Sequence, residues 1–279
     1  MIIWLASYPK SGNTWVRSIL TSLIYSKNGI FKAELLKKII NFPNKIHYKN
    51  LTSDFYNFNE TLKYSTIAQD ILNQDKKIKI FKTHHLNCKI NNYDFTNRKN
   101  TLATIYIIRD PRNVITSIAN HYSKSILEAK DFMFTPRFIG GSKKNNISIE
   151  NDLKILIGTW AEHYNFWKKN DRYLLIKYEN LINDFNNELK KIVNFLKNFV
   201  DFDFNEIVEK NIINTTSFIN LQKIEDSGEF DENAFQSTGI KKKFFKLGPN
   251  NRWENLLNKN VREEIEKKFY NEMKELNYI

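Results

Sequence analysis

The sequence predicts an α/β fold, a three-layer sandwich with a central, mainly parallel sheet flanked by helices. Three apolar runs, Ile2–Ser7, Thr101–Ile108 and Tyr173–Lys177, read as buried strands. Each passes through a short polar loop into residues of helical character, and repeated strand–loop–helix units imply parallel strands covered on both faces. Ligands of such sheets bind at the carboxyl ends of the strands, where the informative loops of this chain fall.

Ile2–Ser7 is ended by the turn Tyr8-Pro9-Lys10. Asn13 or Thr14 is predicted to cap a helix running to about Ser26, with Trp15, Ile19, Leu20, Leu23 and Ile24 as its apolar stripe. Glu34–Ile40 and Leu62–Leu72 are shorter helix candidates, and Lys77–Lys82 reads as a strand before Thr83-His84-His85. Thr101–Ile108 runs into Arg109-Asp110-Pro111, where proline suits the first turn of a helix that continues over Arg112–Tyr122. Residues 123–146 lack periodicity and contain Gly140-Gly141-Ser142, the pattern of a long insertion or mobile lid. Ile149–Lys169 is predicted as one helix whose aromatic face, Trp160, Tyr164 and Trp167, belongs to the core. Strand Tyr173–Lys177 leads into Tyr178-Glu179-Asn180-Leu181; Glu188–Lys197, Phe204–Asn214 and Val261–Leu276 follow as helices.

The 279 residues suit a single domain, 1–279, with mobile insertions near 123–146 and 222–243. A hydrophobic content of 41% with five tryptophans can furnish a core. The lone Cys88 excludes an internal disulfide and a Cys-rich zinc site and fits a reducing compartment. No apolar run approaches the roughly 18 residues of a membrane span, so a cytoplasmic protein is expected. The net charge of +12 invites a nucleic-acid reading. The lysines are scattered, however, Asn and Ile are abundant alongside them, and no nucleic-acid-binding module is recognisable, so no such partner is expected. The positive field would help to attract an anionic ligand.

The chemistry starts in Tyr8-Pro9-Lys10-Ser11-Gly12-Asn13-Thr14. A loop with glycine, small hydroxyl residues and lysine, opening onto a helix, presents N–H groups and the helix dipole to an anion. It is not a Walker A loop, in which Gly-Lys-Ser/Thr would follow an earlier glycine. Taken alone, it could equally be an ordinary turn with a surface lysine. Arg109, at the end of the strongest strand, and Ser117, eight residues on, form a second set of anion partners. The competing role for Arg109 is a structural pair with Asp110 or Glu179. Two anion sites on neighbouring loops favour a 3′,5′-bisphosphorylated nucleotide over a simple nucleoside triphosphate.

These residues resemble the PAPS-dependent sulfotransferases (PAPS is 3′-phosphoadenosine-5′-phosphosulfate), and the likeness extends over most of the chain. Tyr8–Trp15 (YPKSGNTW) is similar to the family's 5′-phosphosulfate loop, commonly YPKSGTTW, and Tyr106–Ser117 (YIIRDPRNVITS) to its 3′-phosphate motif. Lys82-Thr83-His84 resembles the KTH segment, Tyr178-Glu179-Asn180-Leu181 the YEDL segment, and Thr216-Ser217-Phe218 the TSF segment. Phe245-Lys246-Leu247-Gly248 with Trp253 resembles the RKGxxGxW loop that closes over the 3′-phosphate. Lys246 there replaces the usual arginine and Asn251 the usual second glycine, so this loop is expected to hold PAPS less rigidly, because lysine lacks a planar fork. The opening residues are closer to the bacterial branch than to the animal cytosolic enzymes.

The resemblance implies a P-loop-like fold, PAPS as co-substrate, PAP as product and no metal. It implies Lys10 at the leaving group, Lys82 at the sulfuryl oxygens and His84 as general base; on chemistry alone His85 would serve equally. Lys10, Ser11, Gly12, Asn13, Thr14 and Trp15 would hold the 5′ side. Arg109, Ser117, Lys246, Leu247 and Gly248 would hold the 3′-phosphate, with Tyr178, Thr216 and Phe218 near the base. Trp15, by its helical spacing, also suits the core. His47, His121 and His163 have no partner readable from the sequence. The rivals are a P-loop small-molecule kinase, a nucleic-acid binder and a PAPS- or PAP-binding protein without activity. The acceptor, a small molecule or natural product, is unspecified, and residues 42–59, 123–146 and 222–243 are the candidate walls of its pocket. The oligomeric state is open.

Overall fold

A computed structural model describes residues 1–140, 153–230, 234–235 and 241–279. Strands β1 (Ile2–Ser7), β2 (Lys79–Thr83), β3 (Thr101–Ile108) and β4 (Tyr173–Lys177) form a sheet in the order β2-β1-β3-β4. The helices referred to below are α1 (Asn13–Tyr25), α2 (Pro111–Tyr122), α3 (Trp160–Trp167) and α4 (Phe218–Asp226). The chain clusters into two compact units, the first comprising residues 1–8, 40–106 and 135–175, the second residues 9–39, 107–134 and 176–279.

In the first unit β1 and β2 run parallel, with Ile2 opposite Lys79 and Ala6 opposite Thr83. All six residues of β1 are buried, as its uninterrupted apolar run requires. Trp4 anchors the core, with ring centroids 5.4 Å from Phe42, 5.4 Å from Phe95 and 6.1 Å from Trp167. The expected Leu62–Leu72 helix is two, Phe58–Lys63 and Ser65–Leu72, the first capped by Asn57. The expected Ile149–Lys169 helix is shorter. Ile155–Leu156 pairs with Phe138–Ile139 as a small antiparallel ribbon, and Gly158 takes a left-handed φ of 64°. Only then does α3 begin, behind a capping box in which Thr159 Oγ1 accepts from Glu162 N–H and Glu162 accepts from Thr159 N–H. Residues 149–152 lie outside the described part. Trp160, Tyr164 and Trp167 are buried, as the aromatic face predicted.

In the second unit α1 starts at Asn13 and ends at Tyr25 as expected, but its cap is Gly12 rather than Asn13 or Thr14. A 3₁₀ turn over Ala33–Lys38 replaces the Glu34–Ile40 helix. Pro111 opens α2 as its position predicted, with Asp110 as cap. Within the irregular stretch 123–146 a helix forms over Ile126–Phe134 and buries Ala129, Phe132 and Met133; residues 141–146 are outside the described part. Helices Phe185–Leu196 and Glu206–Thr215 follow, each behind an Asp or Asn cap. The predicted Val261–Leu276 helix is two, Lys259–Lys268 and Tyr270–Glu275, interrupted at the buried Phe269. α4 reaches into the expected insertion 222–243, where the backbones of 234–235 and 241–242 also pair; residues 231–233 and 236–240 are outside the described part. Among the described residues no helix is long and apolar enough to cross a membrane.

Candidate active site

Lys10 and Gly12 both adopt left-handed backbone, φ 67° and 104°. This lets the chain turn sharply into α1 with its first N–H groups gathered. Gly12 carries no side chain to cap them, an arrangement that can receive an anion. A Cβ at Gly12 would lie 2.6 Å from the Tyr178 ring, so glycine is required by conformation and by contact. Ser11 is fully buried, and its hydroxyl makes no hydrogen bond among the described residues. The same holds for the indole N–H of Trp15, whose ring sits edge-on to Tyr178 at 5.5 Å and stacked on Phe185 at 6.0 Å. Buried donors left unsatisfied are costly, and two at one loop point to a ligand that accepts from them. Asn13 and Thr14 are buried beside them. The Lys10 ammonium lies 4.0 Å above the Phe244 ring and 3.3 Å from His121 Nδ1.

Arg109 packs its guanidinium 4.1 Å above Tyr178 and donates to the Lys10 carbonyl at 3.2 Å. Both carboxylates considered as its structural partners are engaged by other groups. Asp110 accepts from the Arg112 backbone at 2.9 Å and pairs with the Arg112 side chain at 2.7 Å. Glu179 accepts from Asp110 N–H and from the Tyr278 hydroxyl, both at 2.9 Å. Burial pushes Tyr178 and Glu179 above their ordinary values, which keeps the Tyr178 phenol protonated beside Arg109. Ser117 lies half-buried on α2.

A third arm of the same unit comes from α4 and the loop after residue 243. Thr216 is buried and spends its hydroxyl on the Ile212 carbonyl at 2.7 Å. Phe218 opens α4, and its ring lies against Gly248, where φ is 49° and any Cβ would overlap the ring. Lys246 donates to Asn120 Oδ1 at 3.0 Å, while Leu247 stands exposed. The structure brings Lys10, Gly12, Trp15, Arg109, Tyr178, Phe218 and Gly248 into one connected set of contacts through Phe244, which sequence reasoning did not single out, and Phe245, whose ring lies 5.1 Å from Phe244 and 5.9 Å from Phe218.

The first unit holds the remaining candidates. His84 follows β2, and its Nδ1 lies 2.7 Å from the Ser7 carbonyl, so Nδ1 carries the proton and Nε2 is the basic nitrogen. The His84 carbonyl accepts from His163 Nε2 at 3.1 Å, and His163 Nδ1 in turn accepts from the Tyr106 hydroxyl at 2.9 Å. His163 is fully buried, which pushes it down to about 3 and keeps it neutral. It thus has a partner on the His84 turn that no sequence pattern revealed. His85 is a core residue: its ring stacks on Phe95 at 4.2 Å, Nδ1 donates to the Leu86 carbonyl, and burial lowers it to about 4. Trp167 donates to the His85 carbonyl at 2.9 Å. Lys82 is anchored through its backbone, which donates to Ile40 and accepts from Phe42. Among the described residues no group of three or more His, Cys, Asp or Glu could hold a metal ion.

The family described as "Sulfotransferase domain" matches residues 2–277 of the chain. Rat sulfotransferase 1E1 is 26% identical over 280 residues, covering 97% of this chain and 83% of that protein. Rat sulfotransferase 2A2 is 28% identical over 175 residues, which span 61% of this chain and just over half, 55%, of that relative. Among solved structures, mouse sulfotransferase SULT7A1 complexed with PAP superimposes with a TM-score of 0.58 at 19% identity, covering 98% of this chain and 84% of that one. Retinol dehydratase in complex with androsterone and inactive cofactor PAP gives 0.56 at 16% identity, with 98% and 80% covered. At these identities the structures share the fold, a central parallel sheet flanked by helices.

Proposed function

The chain belongs to the sulfotransferase family, and we propose that it transfers a sulfuryl group from PAPS to a hydroxyl or amine of a small-molecule, lipid, sugar or peptide acceptor. PAPS is the donor in this family and PAP the product. In the proposed step the acceptor's lone pair attacks sulfur, and the bond from sulfur to the bridging oxygen of the 5′-phosphate breaks. The acceptor's proton passes to Nε2 of His84, whose tautomer is set by the Ser7 carbonyl. Lys10 stabilises the charge that grows on the departing oxygen, and Lys82 the transferring oxygens. The α1 cradle, Ser11 to Trp15, holds the 5′-phosphate; Arg109, Ser117 and the 246–248 loop hold the 3′-phosphate; Tyr178, Thr216 and Phe218 border the base.

The observation that carries this reading is the buried Ser11 hydroxyl, without a partner among the described residues, at the start of α1, where Gly12 supplies no side-chain cap. PAP and PAPS are expected to raise the melting temperature more than ATP or AMP. With labelled PAPS and an acceptor panel, Lys10→Ala and His84→Ala should each slow transfer by about a hundredfold or more while PAP affinity changes only a few-fold. Arg109→Ala should weaken PAP binding itself. Absence of any PAP stabilisation at saturation would overturn the proposal.

A further inference from the structure

We infer that Asn251 is a positioning residue for the 3′-phosphate, a buried latch that holds the nucleotide-facing loop in its binding shape before the ligand arrives. The inference rests on the donor-site reading above. Its starting point is the departure expected to weaken this loop, an asparagine where glycine is usual. The Asn251 side chain is buried, with φ −77°, a conformation that has no need of glycine. Its Nδ2 donates to the Asn113 carbonyl at 2.9 Å, and its Oδ1 accepts from the Thr116 hydroxyl at 2.7 Å. A carbonyl can only accept, so these partners fix which end of the amide faces which neighbour. The latch continues through Asn113, whose Oδ1 accepts from Trp253 N–H at 2.9 Å, and through Arg112, which covers the Trp253 ring at 4.0 Å.

Thr116 precedes Ser117 on α2, the helix that follows Arg109, so the latch joins the loop to the element that carries one proposed 3′-phosphate ligand and begins just after the other. The loop's other end is held by α4. Gln222 donates to the Phe245 carbonyl at 2.7 Å, and the buried Glu225 carboxylate accepts from the N–H groups of Phe244 and Phe245. Residues 244–253 are thus tied down at both ends by bonds within the protein. Ordering a loop on binding costs affinity, and a loop already ordered avoids that cost. Lys246 is a mobile point charge where arginine would provide a rigid fork. A backbone held by Asn251 offsets what the lysine lacks, so the two departures from the usual pattern form a compensating pair.

The test separates the 3′-phosphate from the rest of the nucleotide. Calorimetric affinities for PAP and for AMP, which lacks that phosphate, are compared in the intact chain, Asn251→Ala and Thr116→Val. Asn251→Ala is expected to weaken PAP about tenfold with AMP unchanged, and to raise KM for PAPS at constant kcat. Thr116→Val, which removes one of the two bonds, should weaken PAP about threefold and stands as the test if Asn251→Ala does not fold. A purely structural role would weaken both nucleotides by the same factor, and that result, or unchanged PAP affinity, would overturn the latch. An unaltered chain that binds PAP no better than AMP would overturn the underlying assignment of the 3′-phosphate site.

Discussion

At Ser11 the proposed binding role and the folding role can be tested apart within one side chain. Its buried hydroxyl has no partner among the described residues, so removing it relieves a desolvated polar group. Ser11→Ala is expected to leave stability unchanged or to raise it by up to about 1 kcal/mol in urea unfolding, while weakening PAP by about tenfold. A loss of stability with intact PAP binding would contradict that assignment. The two adjacent histidines make the converse point. Equal as chemistry in the sequence, they differ in environment: His84 is held by the Ser7 carbonyl with Nε2 basic, whereas His85 lies between Phe58 and Phe95. Nothing local to Lys82-Thr83-His84-His85 encodes that difference, because Phe58, Phe95 and Trp167 come from distant parts of the chain.

At the scale of elements, α2 depends on Asp110. This carboxylate caps the helix through Arg112 N–H and pairs with the Arg112 guanidinium, which also reaches Glu266 at 2.7 Å and the Tyr278 carbonyl at 2.8 Å. Loss of the cap together with one partner of a buried pair should make Asp110→Ala cost about 3 kcal/mol, with Asp110→Asn costing less because the amide oxygen can still cap. Chemical denaturation of both variants checks the order. Strands were legible almost to the residue where the apolar run was long, as in β1, β3 and β4. Helix boundaries were less so. The Ile149–Lys169 pattern hid Gly158, which turns left-handed, and the Thr159-x-x-Glu162 box, a signal present in the sequence that marks the true start of α3. Phe269 interrupts the C-terminal helix although its apolar character continues the pattern, since periodicity records burial and not backbone continuity.

For the molecule as a whole, the buried neutral histidines predict a pH dependence. Burial lowers His85 to about 4 and His163 to about 3. An unfolded chain protonates histidine near its ordinary value of about 6.5, so below that pH the unfolded state binds more protons. Stability is therefore complete above about pH 7 and falls on acidification toward pH 4, by up to ~1.4 kcal/mol per pH unit for each histidine. Urea unfolding at pH 7, 6 and 5 measures the slope, and His85→Phe should flatten it by about one proton. Constant stability across this range would show that these rings are not buried neutral.

The sequence by itself determined the strand–loop–helix plan and marked Tyr8–Thr14 and Arg109 with Ser117 as candidate anion partners, because each is a contiguous segment whose chemistry depends on near neighbours. Only the tertiary structure decided the sheet order, the His84 tautomer, the burial of His85 and His163, and the clamp of residues 244–253 by Asn251, Gln222 and Glu225. These rest on contacts between residues tens to more than a hundred positions apart, such as Thr116 with Asn251, and no local spacing or propensity carries that information.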